Sequence, residues 1–165
     1  MNNKLNTHIK ALFPGSFDPI TLGHLDIIER ASLLFPQVVV GIGVSSQKQN
    51  LFSIEERIAM VKLSCAKFSN VEVLPYSELT IDFAQRIQAR LLIRGVRNEA
   101  DFQSESQLAL INKHLASNIE TIFFPTLQRS IHISSSFVRE VAKFKGDLSG
   151  LVPSEILELV RKKTS

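Results

Sequence analysis

Five short apolar runs recur along this 165-residue chain, and they constrain its fold more than any other feature: IKALF (9–13), VVVGIGV (38–44), VEVLP (71–75), LLIRG (91–95) and TIFFP (121–125). Near-continuous apolar runs of this length suit strands covered on both faces. Longer segments with helical periodicity lie between them. From about 22 to 35, Leu25, Ile28, Ser32 and Phe35 share one face, with Asp26, Glu29 and Arg30 towards the other. In SIEE, Ser53 can cap the Glu56 amide while the Glu56 carboxylate reaches back, so a helix is expected from there to about Phe68. Helical patterns at about 79–89 and 100–116 follow, and SSSFVREVAKF and PSEILELVRKK close the chain.

Strand and helix alternating in this way predict parallel strands joined by right-handed helical crossovers. The expected class is α/β: a doubly wound, Rossmann-like, five-stranded parallel sheet with helices on both faces and strand order 3-2-1-4-5. Residues 1–165 are read as one domain, with the C-terminal helical region, about 147–165, packed on it or at a subunit interface. A net charge of +3, without a run of basic residues, gives no nucleic-acid footprint. One cysteine, Cys65, supports neither a disulfide framework nor a metal cluster, and no segment is apolar enough to span a membrane. A cytoplasmic protein is the default expectation.

In the expected strand order, the direction of winding reverses between strands 1 and 4, and ligands of such sheets bind beyond the strand ends at that point. The residues that follow strand 1 are PGSFDPITLGH, 14–24. With Thr21 as N-cap, Gly23 and His24 fall in the first helical turn, where unpaired N–H groups and the helix dipole attract anions. Gly23 leaves the backbone open to a phosphate, His24 leans back towards the helix mouth, and Ser16 adds a hydroxyl. A turn glycine and a half-buried helical histidine would explain the same letters without a ligand. After strand 4, RGVR places Arg94 and Arg97 at the opposite lip, where they can bind phosphate oxygens or bridge to Glu99 or Asp101. Lys48 lies after strand 2, again at a carboxyl end. The serines of HISSSFVRE, 132–140, can cap a helix or form a second phosphate-binding mouth, with Arg139 one turn inside.

PGSFDPITLGH, LIRGVR and ISSSFVRE together closely resemble the phosphopantetheine adenylyltransferases, nucleotidyltransferases with an HxGH or TxGH motif and an ISSS/T motif. The resemblance runs from about residue 8 to about 160. It implies transfer of AMP from ATP to 4'-phosphopantetheine, giving dephospho-coenzyme A and pyrophosphate, with Mg²⁺ as cofactor. It further implies a homohexamer and feedback inhibition by coenzyme A. By the same resemblance His24 stabilises the transition state at the α-phosphate. Ser16 meets both substrates, and Lys48, Thr80 and Arg94 bind the phosphopantetheine side. The ATP positions implied are Phe17, Gly95, Val96, Arg97, Glu105 and the stretch Ser130, Ile131, His132, Ile133, Ser134, Ser135 and Ser136. The chain departs from the family in three places. Ser130 and His132 stand where an aromatic often precedes ISSS, Thr80 replaces a larger apolar residue, often Met, and Ser104 replaces a frequent aromatic.

The chemistry needs little beyond these groups. The nucleophile is already an anionic phosphate oxygen, and no Ser-His-Asp arrangement suggests a covalent intermediate. Direct in-line displacement leaves positioning and charge neutralisation to the protein. No compact carboxylate cage is visible for a metal, and Asp18, before Pro19, is as suited to organising the turn as to touching Mg²⁺.

Overall fold

The computed structural model describes residues 9–44 and 49–163. Five strands, β1 (Lys10–Gly15), β2 (Gln37–Gly43), β3 (Val71–Tyr76), β4 (Leu91–Val96) and β5 (Glu120–Pro125), alternate with α1 (Leu22–Leu34), α2 (Ile54–Ser64), α3 (Thr80–Arg86) and α4 (Glu99–Leu115). Then come α5 (Ser135–Lys143) and α6 (Leu157–Lys163), with single 3₁₀ turns at Gln128–Ser130 and Ser154–Ile156. The sheet is parallel throughout, in the order β3-β2-β1-β4-β5 expected from the alternation.

Alternate residues of β1 feed two cores. Ala11 and Phe13 join Val38, Val40 and Ile93 beneath α1, α2, α5 and the C-terminal segment, while Leu12 joins Val39, Leu92 and Phe83 on the other face. The C-terminal segment is part of the first core: Leu148, Val152, Ile156 and Val160 are buried in it, and the Leu22 N–H donates to the Leu151 carbonyl at 3.0 Å.

Several local expectations shift. β1 runs on through Pro14 and Gly15, pairing with Gly41 and Ile42, instead of stopping at Phe13. α2 ends at Ser64 rather than near Phe68, because a tight turn follows in which the Phe68 N–H donates to the Cys65 carbonyl at 2.9 Å. Cys65 itself is a buried core thiol, and burial pushes its pKa up to about 11. The inner face of α1 is Ile27, Ile28 and Ala31, and it includes Asp26, which the helical pattern had turned outward. Asp26 tolerates burial because it accepts from Arg30 at 3.3 Å and from Arg129 at 3.2 Å.

The feature that creates a site is the β1–β4 junction. β1 pairs with β2 along its whole length, but with β4 only through Ala11↔Leu91 and Leu12↔Leu92. Beyond these residues that ladder ends, leaving a gap at the carboxyl ends where the winding reverses.

Candidate active site

A cleft of about 650 Å³ occupies that gap. One wall carries Gly43, Val44, Tyr76, Leu79 and Thr80 from the ends of β2 and β3, and the other carries Gly95, Arg97, Asp101, Glu105 and Ser134 from β4, α4 and α5. The floor is the β1–α1 loop, including Ser16, Phe17, Gly23 and His24.

Thr21 caps α1 as the sequence predicts, and the cap determines the state of His24. The Thr21 N–H donates to His24 Nδ1 at 3.1 Å, so Nδ1 is an acceptor and carries no proton. The Thr21 hydroxyl therefore donates to the same nitrogen at 3.0 Å, while Thr21 Oγ1 accepts from the His24 N–H at 3.3 Å. The remaining proton sits on Nε2. Burial, with the charge of Arg97 adding to it, brings the imidazole pKa from 6.5 down to about 4. The edge-on Phe17 ring, 5.0 Å away between centroids, is part of that dry surrounding. His24 is thus a neutral hydrogen-bond donor at physiological pH.

Gly23 has ordinary helical space around it: an added Cβ would meet nothing closer than 3.6 Å. The absence of a side chain is not demanded by packing. Of the first-turn amides of α1, Leu22 N–H is taken by the Leu151 carbonyl and His24 N–H by Thr21 Oγ1, which leaves the Gly23 N–H without an acceptor among the described residues.

The two arginines of RGVR are both present, each matched by an α4 carboxylate. Arg94 forms a bidentate pair with Glu105, both bonds 2.6 Å, and Nη1 donates to the Pro14 carbonyl at 3.3 Å. Arg97 donates to Asp101 at 2.7 Å, which pulls that carboxyl below its usual pKa. The bridging alternative was therefore right for Arg97 and Asp101, while Arg94 chooses Glu105 over Glu99. These pairs are partly exposed, so ligand phosphates can compete for the guanidiniums at modest cost.

Ser134 caps α5, accepting from the Phe137 N–H at 3.1 Å. Ser134 and Ser135 line the cleft, with Ser135 Oγ donating to the Pro19 carbonyl at 2.8 Å. Arg139, expected at this mouth, is turned away: it donates to the Asp18 carbonyl at 2.6 Å, and its guanidinium lies 3.6 Å from the Asp18 carboxylate. The Asp18 carboxylate accepts from the Leu51 and Phe52 N–H groups, each at 2.9 Å, so it organises loops.

Of the residues singled out from sequence, Ser16, Phe17, His24, Thr80, Arg94, Gly95, Arg97, Glu105, Ile133, Ser134 and Ser135 line the one cleft. Val96, Ser130, Ile131, His132 and Ser136 do not line it. Ser130 is buried behind Gly23, Ser136 Oγ accepts from Arg139, and Ile131 and His132 face solvent. Lys48 lies outside the described residues. Sequence reasoning missed Tyr76, whose hydroxyl is 3.1 Å from that of Thr80, and Arg57, buried under the floor. Arg57 had left a signal: it shares the inner face of α2 with Met60, Val61 and Ser64, where a charge is out of place.

Among the described residues, no group of three or more histidine, cysteine, aspartate or glutamate side chains could hold a metal ion.

A family profile described as cytidylyltransferase-like matches residues 12–141. A phosphopantetheine adenylyltransferase from Clostridium tetani (strain Massachusetts / E88) is 48% identical over 155 residues, covering 94% of this chain and 97% of the relative. One from Methylacidiphilum infernorum (isolate V4) is 44% identical over 156 residues, covering 93% and 90%. A crystal structure described as a nicotinate-nucleotide adenylyltransferase from Vibrio parahaemolyticus superposes with a TM-score of 0.67 at 20% identity, covering 92% of this chain and 97% of that one, and so shares the fold.

Proposed function

The chain belongs to the cytidylyltransferase-like family and, within it, to the phosphopantetheine adenylyltransferases, and from that premise we propose how its cleft works. The enzyme transfers AMP from ATP to 4'-phosphopantetheine, yielding dephospho-coenzyme A and pyrophosphate. An oxygen of the acceptor phosphate attacks the α-phosphorus in line. The bond to the β-phosphate oxygen breaks, and pyrophosphate leaves with that electron pair. No general base is required of the protein.

The nucleotide lies towards Gly95, Arg97 and Ile133–Ser135, and the acceptor towards Ser16, Thr80 and Arg94, with Lys48 assigned to it by family resemblance. His24 donates its Nε2 proton as a hydrogen bond to the α-phosphate, most strongly as charge gathers there in the transition state. The Gly23 N–H, the first-turn amide without a protein acceptor among the described residues, holds phosphate at the helix mouth. Arg94 and Arg97 exchange their α4 carboxylates for phosphate oxygens and offset repulsion between two anionic substrates.

The observation that carries this reading is the Thr21–His24 cap, because it makes the histidine a neutral donor rather than an acid or base. Mg²⁺ is assigned to the reaction as the counter-ion of the triphosphate. The cleft carboxylates Asp101, Glu105 and Glu78 are already held by Arg97, Arg94 and Arg86, which does not suit a protein-built cage.

The chain acts as one domain, in the cytoplasm, and coenzyme A inhibits it by filling the same cleft. Self-association is supported by α4, none of whose residues is buried and whose Phe102, Leu108, Leu110, Ile111 and Leu115 are exposed; the homohexamer is the assembly that the family resemblance implies. Sedimentation returning a monomer would remove the hexamer.

The test of the activity is pyrophosphate release from Mg-ATP with 4'-phosphopantetheine, beside nicotinate mononucleotide and no acceptor. Release dependent on phosphopantetheine, with dephospho-coenzyme A formed, is expected. Release only with the nicotinate acceptor, or ATP binding without release, would overturn the reading.

A further inference from the structure

We propose that Arg57 is a positioning residue whose single terminal nitrogen clamps the β1–α1 loop to the end of β2, fixing the acceptor side of the cleft. The inference rests on the assignment of that side to the phosphopantetheine acceptor.

Arg57 is among the largest fully buried side chains in the molecule, 2% exposed, although it stands on a surface helix. Its Nη1 donates to the Ser16 carbonyl at 2.7 Å and to the Gly43 carbonyl at 3.1 Å. Both acceptors are backbone groups of residues that line the cleft, one in the β1–α1 loop and one at the end of β2. Its Nε is buried without an acceptor among the described residues. Burial costs the guanidinium heavily, and the Asp18 and Glu55 charges return only part of that cost.

A methionine would fill the same volume without that desolvation, so packing does not explain the residue. What arginine contributes and methionine lacks is a charged nitrogen that donates to both carbonyls. Ser16 carries the carbonyl of the peptide that leads into Phe17, and Phe17 has φ +47°, a left-handed backbone that an aromatic residue adopts only under constraint. Holding the Ser16 carbonyl fixes the plane of that peptide, and with it the exposed Ser16 side chain. Holding Gly43 fixes the start of the β2–α2 connection, while Asp18 fixes its other end through Leu51 and Phe52. The β1–α1 loop and the two ends of the β2–α2 connection therefore keep their spacing through buried charges that never reach a ligand.

The test compares Arg57→Met and Arg57→Lys with the unaltered protein by hydrogen exchange and by steady-state kinetics. In Arg57→Met, amides in 15–20, 43–44 and 49–52 are expected to exchange about tenfold to a hundredfold faster, as loss of bonds to a charged donor implies, with 134–142 little changed. KM for phosphopantetheine should rise about tenfold and KM for ATP by no more than about threefold, because Ser16 and Phe17 also meet the nucleotide, whose other contacts at Gly95, Arg97 and Ile133–Ser135 the clamp leaves alone. Arg57→Lys, which keeps a charged donor, should recover most of both effects. Unchanged exchange, equal losses for both substrates, or a lysine variant as impaired as methionine would each overturn the clamp. If Arg57→Met does not fold, Arg57→Lys still decides. A shorter donor that loses one carbonyl should raise only the phosphopantetheine KM, by about threefold, and an unaffected KM would refute the proposal. Absence of phosphopantetheine turnover in the unaltered protein would overturn the acceptor assignment alone, since exchange measures the clamp without substrate.

Discussion

Beside β2 the charges are buried and hold backbone: Arg57 grips two carbonyls and Asp18 two amides, each residue 2% exposed. Beside β4 the charges are partly exposed and hold each other, Arg94 with Glu105 and Arg97 with Asp101. The first arrangement is expensive to disturb and cannot be exchanged for a ligand, because water and phosphate do not reach it. The second is worth little to stability and is easily traded for phosphate oxygens. A phosphoryl-transfer site needs both: a frame that keeps distances and cations that are free to change partners.

His24 stands between the two walls, and on the proposed mechanism it acts in the transition state, so its loss is expected to be the largest effect. His24→Ala should lower kcat by on the order of 10²–10³, about 3–4 kcal/mol, while ATP affinity changes only a few-fold. Single-turnover AMP transfer measures the chemical step directly. A kcat within a few-fold of the unaltered enzyme would assign the catalytic work to the arginines.

The contrast between the walls is sharpened by Asp18→Ala against Arg97→Ala. Asp18→Ala orphans the buried Leu51 and Phe52 amides and should cost about 2–4 kcal/mol in urea unfolding. Arg97→Ala removes a pair that is largely solvated and should cost no more than about 1 kcal/mol, yet raise KM for ATP several-fold. Equal stability losses in the two variants would erase the distinction between frame and exchangeable charge.

Gly23→Ala is the smaller and more discriminating change. The added methyl has room, 3.6 Å from its nearest neighbour, and alanine favours a helix over glycine by roughly 0.5–1 kcal/mol. Stability should hold or rise slightly while ATP affinity falls about tenfold, because the methyl, between Thr21 Oγ1 and Ser130, crowds the Gly23 N–H that is left for phosphate. Calorimetric binding beside thermal unfolding separates the two. Undiminished ATP affinity would remove the helix mouth from the site.

The same contrast explains what could be read from the letters. Strand order, the caps at Thr21, Ser53 and Ser134, and the exchangeable groups His24, Arg94 and Arg97 were legible, because periodicity, cap chemistry and arginines at strand ends act locally. The frame was not. Asp26 reads as an outer-face residue of α1 until Arg129, 103 positions away, supplies its partner. Arg57 stands out locally only as a charge on the inner face of α2, and its partners appear only when the sheet brings Ser16 and Gly43 to it. Arg139 reads as a second phosphate cation, and only the folded loop shows its charge taken by Asp18. Long-range satisfaction of buried polar groups decides each case, and no local pattern encodes it.

The smallest expected effect probes where His24 belongs in that division. Its ring is held like the frame, by Thr21 on Nδ1, but its Nε2 proton is offered to the ligand like the exchangeable groups. With a folded pKa of about 4 against an ordinary 6.5, the unfolded chain binds a proton in the intervening pH range and the folded chain does not. The stability that His24 contributes is therefore complete above about pH 6.5 and declines as pH falls towards 4. His24→Gln should flatten that part of the pH–stability curve, and ring-nitrogen NMR should show the Nε2–H tautomer persisting to about pH 5. Arg97→Ala should raise the midpoint, since the Arg97 charge contributes to lowering it. A midpoint near 6.5 would mean that the cap does not hold the ring neutral, and His24 would then act as a cation alongside Arg94 and Arg97.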